Sequence, residues 1–525
     1  MASLPACVAL EFSPKGSVMV HPCSRRRFLS TASAGASLLT SGSLIAGLGP
    51  LTNEQVTATR GIVQLRPEIE PLVRLIEETP RQRLLEEIGS RIRNGLSYRE
   101  VLTALFLAGV RNVEPYPNVG FKFHAVLVVN SAHVASMSSP EADRWLPILW
   151  ALDEFKSSQA KDVSEGNWTM SAVDEGSVPT AEKVRDAFHQ SMQEWDVAQA
   201  DVATAGVARS FDATAALEIF AEYAARDFRS IGHKVIYLAN AWRALQTIGW
   251  EHSEPILRSL AYAMLNHNGE SNPAISDLAP DRSWKTNQQL ALKIREGWET
   301  GSIDGGATTE LLTQLRKGSA DEAAGCVVEL LNRGVAPQSV YDALHLGAGE
   351  LLMRQSGIVA LHAMTTTNAM RFLFDTISSP QTRKQLLLQN ASFLSQFRDA
   401  MAARDKIGEA RIDQLAAAGD TTAASSSVDA IFASVGQNSQ QAAQGVMNFL
   451  STGQDAGSLI HAARRLIFLK GTDSHDYKFS TAALEDFSKI SPALRNQFLA
   501  SSTYNLKGSG AADNKLVERI RAALA

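Results

Sequence analysis

Apolar residues return at every third or fourth position from Pro67 onward, and no stretch alternates with the period of two that a strand requires. Pro71-Leu-Val-Arg-Leu-Ile and Arg83-Leu-Leu-Glu-Glu-Ile set that spacing early. Ser97-Tyr-Arg-Glu100 has the form of a capping box ahead of the apolar run Val101-Leu-Thr-Ala-Leu-Phe-Leu-Ala. Ala, Leu, Gln, Arg and Glu recur throughout and aromatics make up only 7% of the chain, a mix that favours helix over sheet. No βαβ rhythm appears. The fold class that follows is all-α, a multi-helical array or an orthogonal helical bundle.

Breakers at Pro115, Pro117 and Gly120 precede a segment from Phe121 to Met137 that is apolar on nearly every side and reads as one buried helix. Further helices are expected near 141–160, 180–206, 213–226, 231–248, 254–267 and 284–297. After Gly305-Gly306 another set is expected near 307–316, 320–333, 337–354, 357–377 and 381–402. The Ala/Ser/Thr/Gln-rich stretch 412–445 reads either as helix or as flexible surface, and helical patterning resumes at 455–469 and 481–499. The chain divides on this reading into a leader and linker (1–58), an N-terminal helical half (59–304), a second half (305–411) and a C-terminal segment (412–525).

The first segment carries a signal of its own. Ser24-Arg25-Arg26-Arg27-Phe28-Leu29-Ser30 resembles the twin-arginine export motif, with Arg25, Arg26, Phe28 and Leu29 at its defining positions. A mildly apolar run from about Thr31 to Leu48 follows it, too rich in Ala, Ser and Gly for an ordinary membrane span of about 20 residues. The resemblance implies passage through the Tat translocase to the periplasm. Val56-Thr57-Ala58 is a weak match to a cleavage site, and an uncleaved leader would remain as an anchor. Cys7 and Cys23 lie in the leader, so removing it leaves Cys326 alone, with no disulfide, Cys-based zinc site or iron–sulfur cluster to build. A net charge of −5 gives no electrostatic argument for nucleic acid.

A recurrence marks three of the helices. His124 is followed by Asn130-Ser-Ala-His133, His233 by Asn240-Ala-Trp-Arg243, and His362 by Asn368-Ala-Met-Arg371. The shared order is His, then Asn, a small residue, any residue and a basic group. The first and third copies agree best and read as an internal duplication, roughly 97–140 and 319–375, with a looser copy between. Asn and the basic residue three positions later share a helix face, whereas a six-residue step turns the His about 120° away. Each His is either a hydrogen-bonded core residue or a member of one site, and each buried imidazole needs a partner in either case.

Asp342 and His345 stand three apart on one face, where the carboxylate would orient the imidazole as a general base, or a tight helix contact at Gly347 and Gly349 would explain the segment instead. Asp473-Ser-His475-Asp-Tyr-Lys478-Phe479 is the most polar cluster and is expected in a loop, as a proton-handling site or as a solvated turn. Glu254, in Trp250-Glu-His252-Ser-Glu254-Pro255, suits a helix N-terminus. The chain has no His-Glu-x-x-His, Glu-x-x-His or Cys-x-x-Cys-His, no Gly-x-Ser-x-Gly, no P-loop and no dinucleotide fingerprint. Metal ligation by histidines from separate helices stays open, since sequence spacing does not report on it.

Two of these segments carry a family resemblance. His362-Ala-Met-Thr-Thr-Thr-Asn-Ala-Met-Arg371 resembles the histidine-bearing helix of questin oxidase-like proteins, and Asp473-x-His475-x-x-Lys478 is similar to their Asp-x-His-x-x-Lys near the C-terminus. The resemblance implies a helical cavity in which His362, His475 and Lys478 face a planar aromatic or quinone-type substrate, with dioxygen and NADPH as co-substrates. The chain departs from that family in placing Asn368 near its second histidine and in carrying an export leader.

Three functions are therefore expected to compete. The first is an exported oxidoreductase in which His124, His233 and His362 converge on one cavity, helped by Asp342 and His345, with a His-bound metal or NADPH as cofactor. The second is a non-catalytic helical scaffold of the periplasm whose His and Asn residues only lock helices together. The third is a hydrolase or isomerase built on the Asp473–His475 loop.

Overall fold

The computed structural model describes residues 61–116, 121–265, 270–417 and 427–525; the leader, with Arg25, Arg26, Phe28 and Leu29, lies outside the described residues. The protein is all-α: among the described residues the extended contacts are two isolated bridges, Ile62 with Ser171 and Ser302 with Val335. In chain order the first helices are α1 (Glu70–Glu78), α2 (Arg81–Arg93), α3 (Tyr98–Asn112), α4 (His124–Leu127), α5 (Val129–Met137) and α6 (Leu146–Glu165). Next come α7 (Val184–Glu194), α8 (Val197–Ser210), α9 (Ala213–Ala224), α10 (His233–Ile248), α11 (Ser253–Leu265) and α12 (Ala279–Ala291). Then follow α13 (Gly305–Lys317), α14 (Ala320–Asn332), α15 (Pro337–Arg354), α16 (Ile358–Thr376) and α17 (Pro380–Ala402). The chain ends with α18 (Val428–Ser434), α19 (Ser439–Ser451), α20 (Ala456–Lys470), α21 (Ser474–Asp486), α22 (Arg495–Ser502) and α23 (Leu516–Leu524).

Local chemistry explains where these helices start. Ser97 and Ser319 make complete capping boxes with Glu100 and Glu322, and Asp212, Asp304 and Ser427 cap α9, α13 and α18 with side-chain oxygens. Pro337 and Pro380 open α15 and α17, where a missing N–H costs nothing. Three expected helices are divided; one of them, 481–499, holds the end of α21 and, after a break over 487–494, the start of α22. The segment 180–206 breaks at Trp195, which takes a left-handed φ of 63° before Asp196 caps Gln199 and begins α8. The segment from Phe121 to Met137 is a 3-10 turn over Phe121–Phe123 followed by α4 and α5, with a break at Val128. In the other direction, the polar Asp473–Phe479 run is no loop: Asp473 caps α21 and the rest is its first turn and a half.

One continuous apolar core runs from Ile69 to Ile520. The C-terminal α23 returns to the first helices and packs on α2 and α6, held at its edge by Arg519–Glu86 and Arg521–Asp143 ion pairs at 2.8 and 2.9 Å. At the centre, α16 lies against α10, α15, α17 and α21, and α5 packs on α10 and α21. That arrangement brings α4, α10, α16 and α21 together at their N-terminal ends. No described helix is long and apolar enough to cross a membrane.

Candidate metal centre

His124 and His233 are the first residues of α4 and α10, His475 is the second of α21, and His362 is the fifth of α16. These four early-turn positions meet. One ring nitrogen from each imidazole lies within 4.8 Å of the equivalent atom of all the others, and all four residues are buried. Ring centroids stand 4.3 Å apart for His124–His475, 4.5 Å for His233–His362, 4.9 Å for His124–His233 and 5.3 Å for His362–His475. The three histidines of the recurrence thus come together, and His475 joins them from a segment that the recurrence does not include.

Hydrogen bonds fix how two of the rings present themselves. His233 Nδ1 lies 2.8 Å from the Ser230 carbonyl, and His362 Nδ1 lies 2.6 Å from the Ile358 carbonyl. A carbonyl oxygen only accepts, so each Nδ1 carries the proton, and each neutral ring presents a lone pair at Nε2. Yet His362 Nε2 is 2.9 Å from His233 Nε2, which is in turn 3.2 Å from His124 Nε2. Two lone pairs facing at that distance repel unless a positive centre is shared between them. A proton on one ring would serve, but the environment opposes it. Burial pushes His362 down to about 3, with the Lys478 charge acting in the same direction and the Ile358 contact opposing. Burial, then the neighbouring imidazoles and Lys478, holds His233 well below the usual histidine range.

A metal ion fits the same atoms. With metal–nitrogen bonds of ~2.1 Å, adjacent ligand nitrogens lie about 3.0 Å apart at a right angle and roughly 3.4 Å apart at a tetrahedral angle. The observed 2.9 and 3.2 Å agree with a shared ion at angles near a right angle. The positive ends of the α10, α16 and α21 dipoles lie in the same region and disfavour imidazolium, which keeps the rings in the neutral form that ligates.

His475 has a different backing. Its Nδ1 lies 2.9 Å from Asp473 Oδ1, and the same oxygen accepts its backbone N–H at 2.8 Å. With Nδ1–H turned to the carboxylate, Nε2 is left buried without a hydrogen-bond partner among the described residues. The neighbouring Ser474 hydroxyl donates to Glu154 Oε1 at 3.1 Å. Burial pushes the Glu154 carboxyl up to about 7, reinforced by the Asp473 charge. Lys478 lies one turn after His475; its amine is buried, has no hydrogen-bond partner among the described residues, and is pushed down to about 7 by burial against the pull of Asp473. It is close enough for its charge to depress His233, His362 and His475.

Asp342 and His345 do not form the expected pair. Asp342 Oδ1 accepts from the Gln338 amide at 2.8 Å and the Ser491 backbone at 3.0 Å, while His345 donates from Nδ1 to the Tyr341 carbonyl at 2.7 Å. The acid nearest His345 Nε2 is Asp486, at 3.5 Å. Neither Asp342 nor His345 belongs to the imidazole cluster. The asparagines of the recurrence take the locking role: Asn368 donates to Glu485 and Asp486 at 2.6 and 2.8 Å, tying α16 to α21, and Asn240 donates to the Leu127 carbonyl at 3.2 Å. A cavity of about 390 Å³ lies elsewhere, between the Val63–Arg66 segment and the start of α11, and is lined by Arg209, His252, Glu254 and Arg258 but by none of the four imidazoles. Sequence reading left out Ser474 and Glu154; the signal available for the group around them was Asp-x-His at a helix start.

No family model, curated protein or solved structure matches this chain.

Proposed function

We propose that the protein is an exported oxidoreductase built around a mononuclear, non-haem metal centre, with His124, His233, His362 and His475 as its ligands. One observation carries the reading: the 2.9 Å approach of two Nε2 atoms whose Nδ1 protons are both committed to carbonyls. Four neutral imidazoles suit a first-row ion such as iron, copper or zinc, and the absence of any thiolate or carboxylate in the group argues against calcium or magnesium. When bound, a redox-active ion would supply one-electron chemistry toward dioxygen and an organic substrate.

The chain's own residues set the conditions. The Ser230 and Ile358 carbonyls hold two rings in one tautomer, and all four imidazoles are buried. Lys478 is a buried nitrogen base beside the ligands, suited to accepting a proton from a bound phenol or hydroquinone. The Asp473–His475 edge is the more open side, with the Asp473 side chain 37% exposed, and is where a planar substrate would approach. The resemblance of His362–Arg371 and Asp473–Lys478 to questin oxidase-like proteins supports an aromatic or quinone-type substrate, with dioxygen and NADPH as co-substrates. The Arg25-Arg26 leader supports export to the periplasm.

The test is metal analysis and an ultraviolet–visible spectrum of full-length protein recovered from the periplasmic fraction. Near-stoichiometric iron or copper is expected, falling at least tenfold in His124→Ala and His362→Ala variants whose circular dichroism is unchanged. A folded wild type that stays metal-free after incubation with iron, copper and zinc salts would refute the centre. Stoichiometric zinc alone would refute the redox role, and retention in the cytoplasm would refute export.

A further inference from the structure

Asp473 performs two tasks with one oxygen. Oδ1 caps α21 by accepting the His475 backbone N–H at 2.8 Å, and it accepts the ring Nδ1–H of the same residue at 2.9 Å. Capping alone would account for an aspartate at this position, because Asp, Asn and Ser all serve there. The ring contact is not needed for a cap. It places a carboxylate directly behind one imidazole of the cluster, whereas His233 and His362 have only neutral carbonyls behind them. The next residue, Ser474, donates to Glu154 on α6 at 3.1 Å and ties the start of α21 to that helix.

A charge-assisted hydrogen bond is roughly twice as strong as one to a neutral acceptor. Drawing the Nδ1 proton toward a carboxylate raises the basicity of Nε2 and moves the ring toward imidazolate, the strongest donor an imidazole can be. A stronger donor stabilises the higher oxidation state of the metal it binds.

We propose that Asp473 is the positioning residue that sets the redox potential of the metal centre, favouring its oxidised state by polarising His475. The inference rests on the four-histidine reading above. It also distinguishes His475 from the carbonyl-backed ligands, so that the ion sits in an asymmetric field although all four ligands are the same residue type.

The substitution that separates the two roles is Asp473→Asn. An asparagine caps as well as an aspartate and its amide oxygen still accepts both N–H groups, but the charge is gone. The measurement is a spectroscopic redox titration of the full chain loaded anaerobically with ferrous iron. At a fixed solution potential, the ferric-to-ferrous ratio is expected to fall roughly tenfold in Asp473→Asn, with iron stoichiometry and melting temperature close to wild type. Asp473→Ala is expected to lose the cap as well and to lower both melting temperature and iron affinity. An Asp473→Asn protein with the wild-type ratio would overturn the proposal and leave Asp473 as a cap only. Iron retained in full by His475→Ala would also overturn it, by removing the ligand through which Asp473 acts. A wild type that takes up no iron would bring down the metal centre itself, and this inference with it.

Discussion

A buried imidazole is costly to charge, and that cost makes the cluster measurable in the metal-free protein. Burial pushes His362 down to about 3 and holds His233 and His475 well below the usual histidine range. In the unfolded chain the same rings titrate near their ordinary value of ~6.5. As pH falls through that value the unfolded state takes up protons that the folded state refuses, so stability is complete above it and is lost progressively towards the folded value. The slope amounts to about 2 kcal/mol per histidine by about pH 5. Lys478, at about 7, has the same sign but acts above neutrality, where the unfolded chain still holds the lysine proton. Urea denaturation of metal-free protein should therefore show a stability that declines steeply from about pH 7 to pH 5. His362→Phe, which fills the site with an apolar ring and removes one titration, should lessen that decline by about 2 kcal/mol. A metal-free wild type with the same stability at both ends of the range would show that these imidazoles are hydrated, which is incompatible with the packed cluster.

The turn that delivers His233 shows how an element can be shaped for one residue. Ile231 and Gly232 both take left-handed backbone, with φ of 44° and 84°, immediately before α10. A β-branched residue there is a strained choice, costing on the order of 1–3 kcal/mol, and such strain persists only where the surroundings impose it. Those surroundings include α16: a Cβ on Gly232 would overlap the side chain of Thr366, four residues after His362 on the same helix. Gly232→Ala should lower stability by about 3 kcal/mol, from the left-handed backbone and the overlap together, and should move His233 away from His362. Denaturation and metal titration would read the two effects, and wild-type metal affinity in this variant would show that the close packing of α10 on α16 does not govern the ligand geometry. Little of this was legible beforehand. The His-to-Asn recurrence singled out three of the four clustered imidazoles, and Asp-x-His-x-x-Lys singled out the fourth, because polar residues in apolar helices stand out by composition. Their convergence was not legible, since a six-residue step fixes the angle around one helix and says nothing of which neighbour that face meets. The Asp342–His345 pairing failed for a related reason: three-residue spacing permits the contact, but the Tyr341 carbonyl and the Ser491 backbone N–H satisfy the two groups separately. The polar start of α21 resembles a turn because a good N-cap and a turn use the same residues.

At the scale of the whole molecule the four clustered histidines come from segments far apart in the chain, and the contacts around them are correspondingly long-range. His124 and His233 belong to the N-terminal half of the sequence pattern, His362 to the second half and His475 to the C-terminal segment. The apolar core is continuous across all three, and α23 closes the end of the chain onto α2. An ion held by all four imidazoles would therefore cross-link the three segments at one point inside a core that already joins them. Binding that occurs only in the folded state stabilises it by an amount set by concentration over affinity, roughly 2.7 kcal/mol at a hundredfold excess over Kd. Because the ligands are shared among segments, that stabilisation should reach the whole core and not a single helix pair. Calorimetry of metal-loaded and chelator-treated protein is expected to show one transition in each case, with the loaded form melting about 2–3 °C higher for a chain of this size. Hydrogen exchange should slow on loading in α10, α16 and α21 together. Slowing confined to α21, or a loaded protein in which one segment melts separately, would mean that the ion is held from one side only. The centre would then be a local site on the Asp473–Lys478 turn and no longer the point that joins the three parts of the chain.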